Sequence, residues 1–135
     1  MVITKTFDFD AAHRLDRLPA GHKCHRLHGH TYRVTLEVSG PLEPTLGWVV
    51  DYAIIAAAWD ALDKQLDHRL LNEIPGLEVP TTEVLALWIL RRLVVISIGP
   101  AKWEALTVFE SATTSCRVTL ADLHLETGRL RGDAQ

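Results

Sequence analysis

The sequence predicts an α+β fold: a four-stranded antiparallel sheet with two helices on one face, in the order ββααββ. Three observations carry this. Apolar residues alternate with period two near both ends of the chain. Between them they recur with the 3.6-residue period of helices. Strands and helices are thus segregated along the chain, which is the pattern of a helix layer packed on an antiparallel sheet.

Each element follows from its own residues. Between positions 3 and 13, Ile3, Phe7, Phe9, Ala11 and His13 alternate with Thr4, Thr6, Asp8 and Asp10, and only Lys5 breaks the apolar side. That is a strand with one face for the core. Between positions 28 and 38 the even residues are His28, His30, Tyr32, Val34, Leu36 and Val38, while Thr31, Arg33, Thr35 and Glu37 take the other side. This is a second strand, expected to pair with the first. Asp51 is a candidate N-cap, and Ile55, Trp59, Leu62 and Leu66 form one helix face after it. Thr81, after Pro80, caps a second helix with the stripe Leu85, Trp88, Ile89 and Leu93. Glu83 in its first turn suits the positive end of the helix dipole. Beyond Gly99-Pro100, Leu106, Val108 and Glu110 alternate, as do Cys116, Val118 and Leu120, giving the last two strands. A sheet of four strands leaves two open edges, and assembly with copies of itself is the expected way to cover them.

Composition narrows the function classes. The 135 residues suffice for one domain, taken as 1–135, with a core that needs no disulfide framework. Fourteen basic against seventeen acidic residues leave no basic surplus, so nucleic acid is not an expected partner. The two cysteines, Cys24 and Cys116, suit a reducing, cytoplasmic setting. Positions 1–5 lack a signal-peptide pattern. The apolar runs at 53–59 and 84–90 are too short to span a bilayer.

Five of the seven histidines fall between His13 and His30. His28 and His30, two apart on a strand, point to the same side. That side also carries Tyr32, Val34 and Leu36, and on the first strand His13 is in phase with Phe7 and Phe9. Pairing the strands brings three imidazoles together on a half-buried face, where they are costly to bury unless something binds them. Three neutral imidazoles with one open position are a catalytic zinc pattern. Gly29 between two of them lets a neighbouring backbone approach. Cys24 lies four residues before His28 and has two possible roles: a fourth ligand closing a structural site, or a thiolate beside an open one, able to act as base or nucleophile. His22, His25 and His124 read as satisfied or surface residues, and Cys116 as core. Asp67-His68 reads as a helix terminus that could also carry chemistry. Glu110, in phase with Leu106 and Val108, needs a partner on an apolar face, and a ligand's N–H groups would serve.

The run Cys24-His25-Arg26-Leu27-His28-Gly29-His30, preceded by Phe9-Asp10-Ala11-Ala12-His13, resembles the 6-pyruvoyltetrahydropterin synthase superfamily. The three-residue gap between Cys24 and His28 is similar to its 6-carboxytetrahydropterin synthase branch, which acts in queuosine precursor synthesis. Gly47-Trp48-Val49-Val50-Asp51-Tyr52, Leu66-Asp67-His68, Pro80-Thr81-Thr82-Glu83 and Glu110 extend the likeness over positions 7–110.

The resemblance implies a tunnelling fold in which trimers close into barrels and two trimers stack into a hexamer. It implies Zn2+ on His13, His28 and His30, and proton transfer by Cys24, Asp67 and His68, the last two reaching in from a neighbouring subunit. Glu110 would anchor the pterin ring, helped by the backbone around Thr81 and Thr82. The implied substrate is 7,8-dihydroneopterin triphosphate, converted to 6-carboxy-5,6,7,8-tetrahydropterin, acetaldehyde and triphosphate. Two alternatives stand beside this. One is the pyruvoyl synthase, which eliminates triphosphate and keeps the side-chain carbons; the other is a non-catalytic zinc protein with Cys24 as fourth ligand. The chain departs from the pattern at His25, at Ser111 after Glu110, and in its tail, 122–135.

Overall fold

The computed structural model describes residues 1–125; positions 126–135, most of the tail noted above, lie outside the described residues. Strand β1 (Val2–His13) pairs antiparallel with β2 (His28–Ser39) along its whole length, from Val2 opposite Ser39 to His13 opposite His28. Strand β4 (Lys102–Phe109) joins the other side of β2, and β5 (Ser115–Thr119) pairs with β4. Between β2 and β4 come helix α1 (Tyr52–Leu66), the two-residue strand β3 (Arg69–Leu70) and helix α2 (Thr82–Leu93).

The predicted class holds, with one correction. The sheet has five strands in the order β3-β1-β2-β4-β5, and β3 runs parallel to β1, so the sheet is mixed. Two residues are too few to show alternation in a sequence. Strand β3 is created by the end of α1. Asp67 is the last half-helical residue, and His68 takes the left-handed conformation, φ 59°, that glycine usually supplies at this position. The strained turn is held by β1. Asp10 N–H donates to Asp67 Oδ1 at 3.0 Å, and His68 N–H donates to Asp10 O at 2.6 Å. Arg69 and Leu70 then fall into register with Ala11 and Ala12.

Both predicted caps form. Asp51 accepts from Ala53 N–H at 2.9 Å and Thr81 from Val84 N–H at 3.2 Å. Helix α1 covers β1 and α2 covers β4 and β5, so the core lies on one face of the sheet. Phe7 stacks on Trp59 with centroids 5.3 Å apart, and Phe9 on Tyr32 at 5.1 Å. The opposite face is polar, laced by Arg33 on Asp8 and Arg117 on Glu37. No helix among the described residues is long and apolar enough to cross a membrane.

Candidate metal centre

The register of β1 and β2 builds the site. His13 stands opposite His28 and Ala11 opposite His30, all on the core face at the end of the hairpin away from the chain terminus. Gly29 lies between the two β2 histidines, and a Cβ there would meet the Ala11 carbonyl oxygen at 3.3 Å. Its missing side chain lets the strands close up. The three rings stand roughly edge to face, with centroids 4.6, 5.0 and 4.9 Å apart. His13 is fully buried.

The outer nitrogens of two rings are committed. His13 Nδ1 is 2.8 Å from the Pro80 carbonyl, and His28 Nδ1 is 2.7 Å from the Arg26 carbonyl. A carbonyl only accepts, so each Nδ1 carries the proton and each Nε2 presents a lone pair. Yet the two Nε2 atoms lie 3.0 Å apart, with His30 Nε2 3.1 Å from that of His13. Neither His13 nor His28 has a proton to offer the other there. Such converging lone pairs are favourable only around a cation. Backbone carbonyls that fix the tautomer of a ligating imidazole are the usual outer support of a metal site.

Electrostatics agree. Burial pushes the His13 pKa below its ordinary value, partly opposed by the Pro80 carbonyl, and neighbouring His28 lowers it further. Burial likewise lowers His30, against the pull of Glu110, with His28 adding to the lowering. Both rings therefore favour the neutral form that binds metal.

Glu110 completes the group. It follows β4, and its Oε1 lies 3.0 Å from His30 Nε2 and 3.3 Å from His13 Nε2. Donor atoms of His13, His28, His30 and Glu110 all lie within 4.8 Å of one another. Three imidazoles with a carboxylate oxygen are a donor set that suits zinc. The other carboxylate oxygen accepts from Thr82 Oγ1 at 3.1 Å, and Thr82 is buried at the start of α2. Sequence phase put Glu110 on the right face without showing that its carboxylate reaches the histidines.

The remaining candidates lie elsewhere. The Thr81 hydroxyl is spent on its helix cap. Cys24 sits half-buried in a 3₁₀ turn, Lys23–His25, whose start is capped by His22 Nδ1 accepting from Cys24 N–H at 3.1 Å. Its thiol is outside the four-residue donor group. His25 Nδ1 donates to the Leu18 carbonyl at 2.9 Å, tying His25 into its own loop. Asp67 and His68 form a preset pair, Oδ2 to Nδ1 2.8 Å, at the outer edge of β1. The Asp10 N–H and then the His68 ring hold Asp67 below the usual carboxylate range, while the bond to Asp67 raises His68. The His68 side chain is 77% exposed and borders an open cleft of about 560 Å³ with Asp10, Gly29 and Thr31.

One site residue escaped the sequence reading. Tyr32 Oη stands 3.3 Å from His13 Nδ1, and burial, then Glu110, raises its pKa. The signal was present, since Tyr32 is the next in-phase position after His28 and His30.

The model of the 6-pyruvoyl tetrahydropterin synthase family matches residues 2–121. The chain belongs to that family. Within it, a 6-carboxy-5,6,7,8-tetrahydropterin synthase of Synechocystis is 37% identical over 121 residues, covering 86% of this chain and 91% of that protein. A dihydroneopterin monophosphate aldolase of Pyrococcus furiosus is 36% identical over 102 residues, covering 76% and 82%. Among solved structures, Caenorhabditis elegans 6-pyruvoyl tetrahydropterin synthase superposes with a TM-score of 0.80 at 24% identity, covering 88% of this chain and 94% of that one, and so shares the fold. The family thus includes relatives named for different pterin reactions, and the histidine group lies inside the matched span.

Proposed function

We propose that the chain is a zinc-dependent lyase converting 7,8-dihydroneopterin triphosphate and one water to 6-carboxy-5,6,7,8-tetrahydropterin, acetaldehyde and triphosphate. It would serve queuosine precursor synthesis in the cytoplasm, as a homohexamer. The observation that carries the reading is the pair of lone pairs, His13 Nε2 and His28 Nε2, held 3.0 Å apart with both Nδ1 protons committed to carbonyls. The Synechocystis relative supports the choice of reaction within the family.

His13, His28 and His30 would hold zinc, which would supply Lewis acidity toward the substrate's side-chain hydroxyls and toward developing negative charge. The chain's own groups do the rest. Glu110, steadied by Thr82, accepts hydrogen bonds from the amino group and adjacent ring N–H of the pterin. The backbone at Thr81 and Thr82 borders the ring. Cys24 moves a proton at the carbon next to the ring. Asp67 holds His68 in one tautomer as the complementary acid or base. The His68 side chain is largely exposed at the β1 edge, which supports its acting on a neighbouring subunit.

The test is mass analysis of products from 7,8-dihydroneopterin triphosphate with zinc-loaded protein. Carboxytetrahydropterin with stoichiometric acetaldehyde supports the proposal. Triphosphate release with the side chain retained makes the chain a pyruvoyl synthase. Turnover of dihydroneopterin monophosphate instead points to the aldolase reaction named for the Pyrococcus relative. Firmly held zinc with no turnover leaves a non-catalytic zinc protein.

A further inference from the structure

We propose that Glu110 is shared between metal and substrate: it is the fourth metal ligand of the resting protein, and a pterin ring opens the site by drawing its carboxylate away. The inference rests on the proposed pterin reading and adds a gate to it.

The four donors His13, His28, His30 and Glu110 converge within 4.8 Å. Together they make a closed, four-coordinate set, whereas a catalytic site keeps one position open. One ligand has to leave before a substrate oxygen enters. The histidines are poor candidates, since all three stand on the paired strands β1 and β2. His13 is buried in the sheet with Nδ1 fixed on Pro80, and His28 is fixed on Arg26. Glu110 is the loosely held member. It lies just beyond the end of β4, at the mouth of the turn that closes on Thr114, and among the described residues only the neutral Thr82 hydroxyl holds its second oxygen. Its side chain is also 26% exposed, so a ligand can reach it. A pterin presents an amino group and a ring N–H side by side, and a carboxylate accepting both gains two charge-assisted hydrogen bonds. That bidentate pairing competes directly with the metal for the same carboxylate.

Competition for one carboxylate has a thermodynamic signature. A pterin that occupies Glu110 but brings no hydroxyl of its own to the metal must weaken zinc binding, and zinc must weaken that pterin's binding by the same factor. The probe is 6-methyl-7,8-dihydropterin, which lacks the side-chain hydroxyls. Its binding to zinc-loaded wild-type protein is measured by calorimetry. The zinc dissociation constant is then measured by chelator competition with and without saturating probe. The expected result is a zinc constant weakened by about fivefold or more. In Glu110→Gln, zinc alone should bind at least about tenfold more weakly than in wild type, and the probe should leave that constant unmoved. A wild-type zinc constant that is unchanged or tightened while the probe binds overturns the gate and leaves the proposed function standing. Wild-type zinc affinity in Glu110→Gln with probe affinity lost likewise overturns the gate, with Glu110 reading the ring alone. Absence of probe binding to the zinc-loaded wild type overturns the pterin reading together with the gate. The wild-type measurement requires no variant to fold.

Discussion

Cys24 and the Asp67–His68 pair illustrate how single groups divide the labour. Cys24 has its backbone fixed at both ends, N–H on His22 and carbonyl on Leu15 N–H at 2.9 Å, while its thiol stays out of the donor group. Cys24→Ala should therefore retain stoichiometric zinc. Turnover should fall by about 10²–10⁴-fold, the usual contribution of one general acid–base group. Metal analysis beside a kinetic assay checks both, and loss of zinc would return Cys24 to the ligand set. For the Asp67–His68 pair the sign of the pH effect is fixed by direction. His68 titrates above its ordinary value because Asp67 accepts its Nδ1–H. Any stability this gives is present below the unfolded histidine pKa and lost as pH rises through the folded one. Asp67, held low by Asp10 N–H, contributes above its unfolded pKa and loses that as pH falls through the folded one. In Asp67→Asn the His68 titration, followed by NMR, should drop toward the ordinary histidine range. An unmoved His68 would mean that Asp67 is not its partner in solution. At this scale His13, His28 and His30 were legible because phase alone puts them on one face. The carbonyls of Pro80 and Arg26 that fix their tautomers were not, since backbone partners leave no residue type to read.

Between residues and fold stand the joints of the elements. The helix caps Asp51 and Thr81 were readable from residue type and position. Strand β3 was not, because it depends on a histidine in a left-handed conformation and on hydrogen bonds to Asp10, fifty-seven residues from Asp67 in sequence. A second such joint follows it. In the 3₁₀ turn after β3, the Asn72 amide donates to Arg14 O at 2.8 Å and accepts from Arg14 N–H at 2.9 Å, acting as one more rung beside β1. The next residue, Leu15, donates to Cys24 O. Asn72 therefore tethers the backbone between His13, a metal-site residue, and the loop that carries Cys24. Removing it frees two exposed backbone groups that water can partly satisfy, so Asn72→Ala should lower stability by about 1–2 kcal/mol in urea unfolding. Amide exchange at Arg14 should accelerate in the folded state. Unchanged exchange there would show that the rung is dispensable.

For the whole molecule, the sheet edges decide what one chain can do alone. Strand β3 pairs with β1 only at Ala11 and Ala12, and Asp10 is held by Asp67 and His68, so among the described residues positions 2–9 of β1 pair with a strand on one side only. A long half-paired edge strand favours assembly, and light scattering should give a multiple of the monomer mass; six copies is the number that the family resemblance implies. This much was readable from strand count, and the fifth strand, being two residues long, does not alter it. Assembly also bears on the site. The metal group stands on the core face of the sheet, and the largely exposed His68 lies beside the β1 edge where a neighbour would dock, on the same open cleft as His30. If His68 serves the next subunit, each active site takes Cys24 from one chain and His68 from another. Cys24→Ala and His68→Ala should each be inactive alone. Co-expressed in equal amounts, they form mixed oligomers in which some sites unite an intact Cys24 with an intact His68. Random mixing around a cyclic interface puts this at about one site in four. Turnover near that fraction of wild type is expected from the mixture and from neither parent. A mixture as inactive as its parents, with mass analysis proving that the oligomers are mixed, would confine His68 to its own chain or remove it from the chemistry.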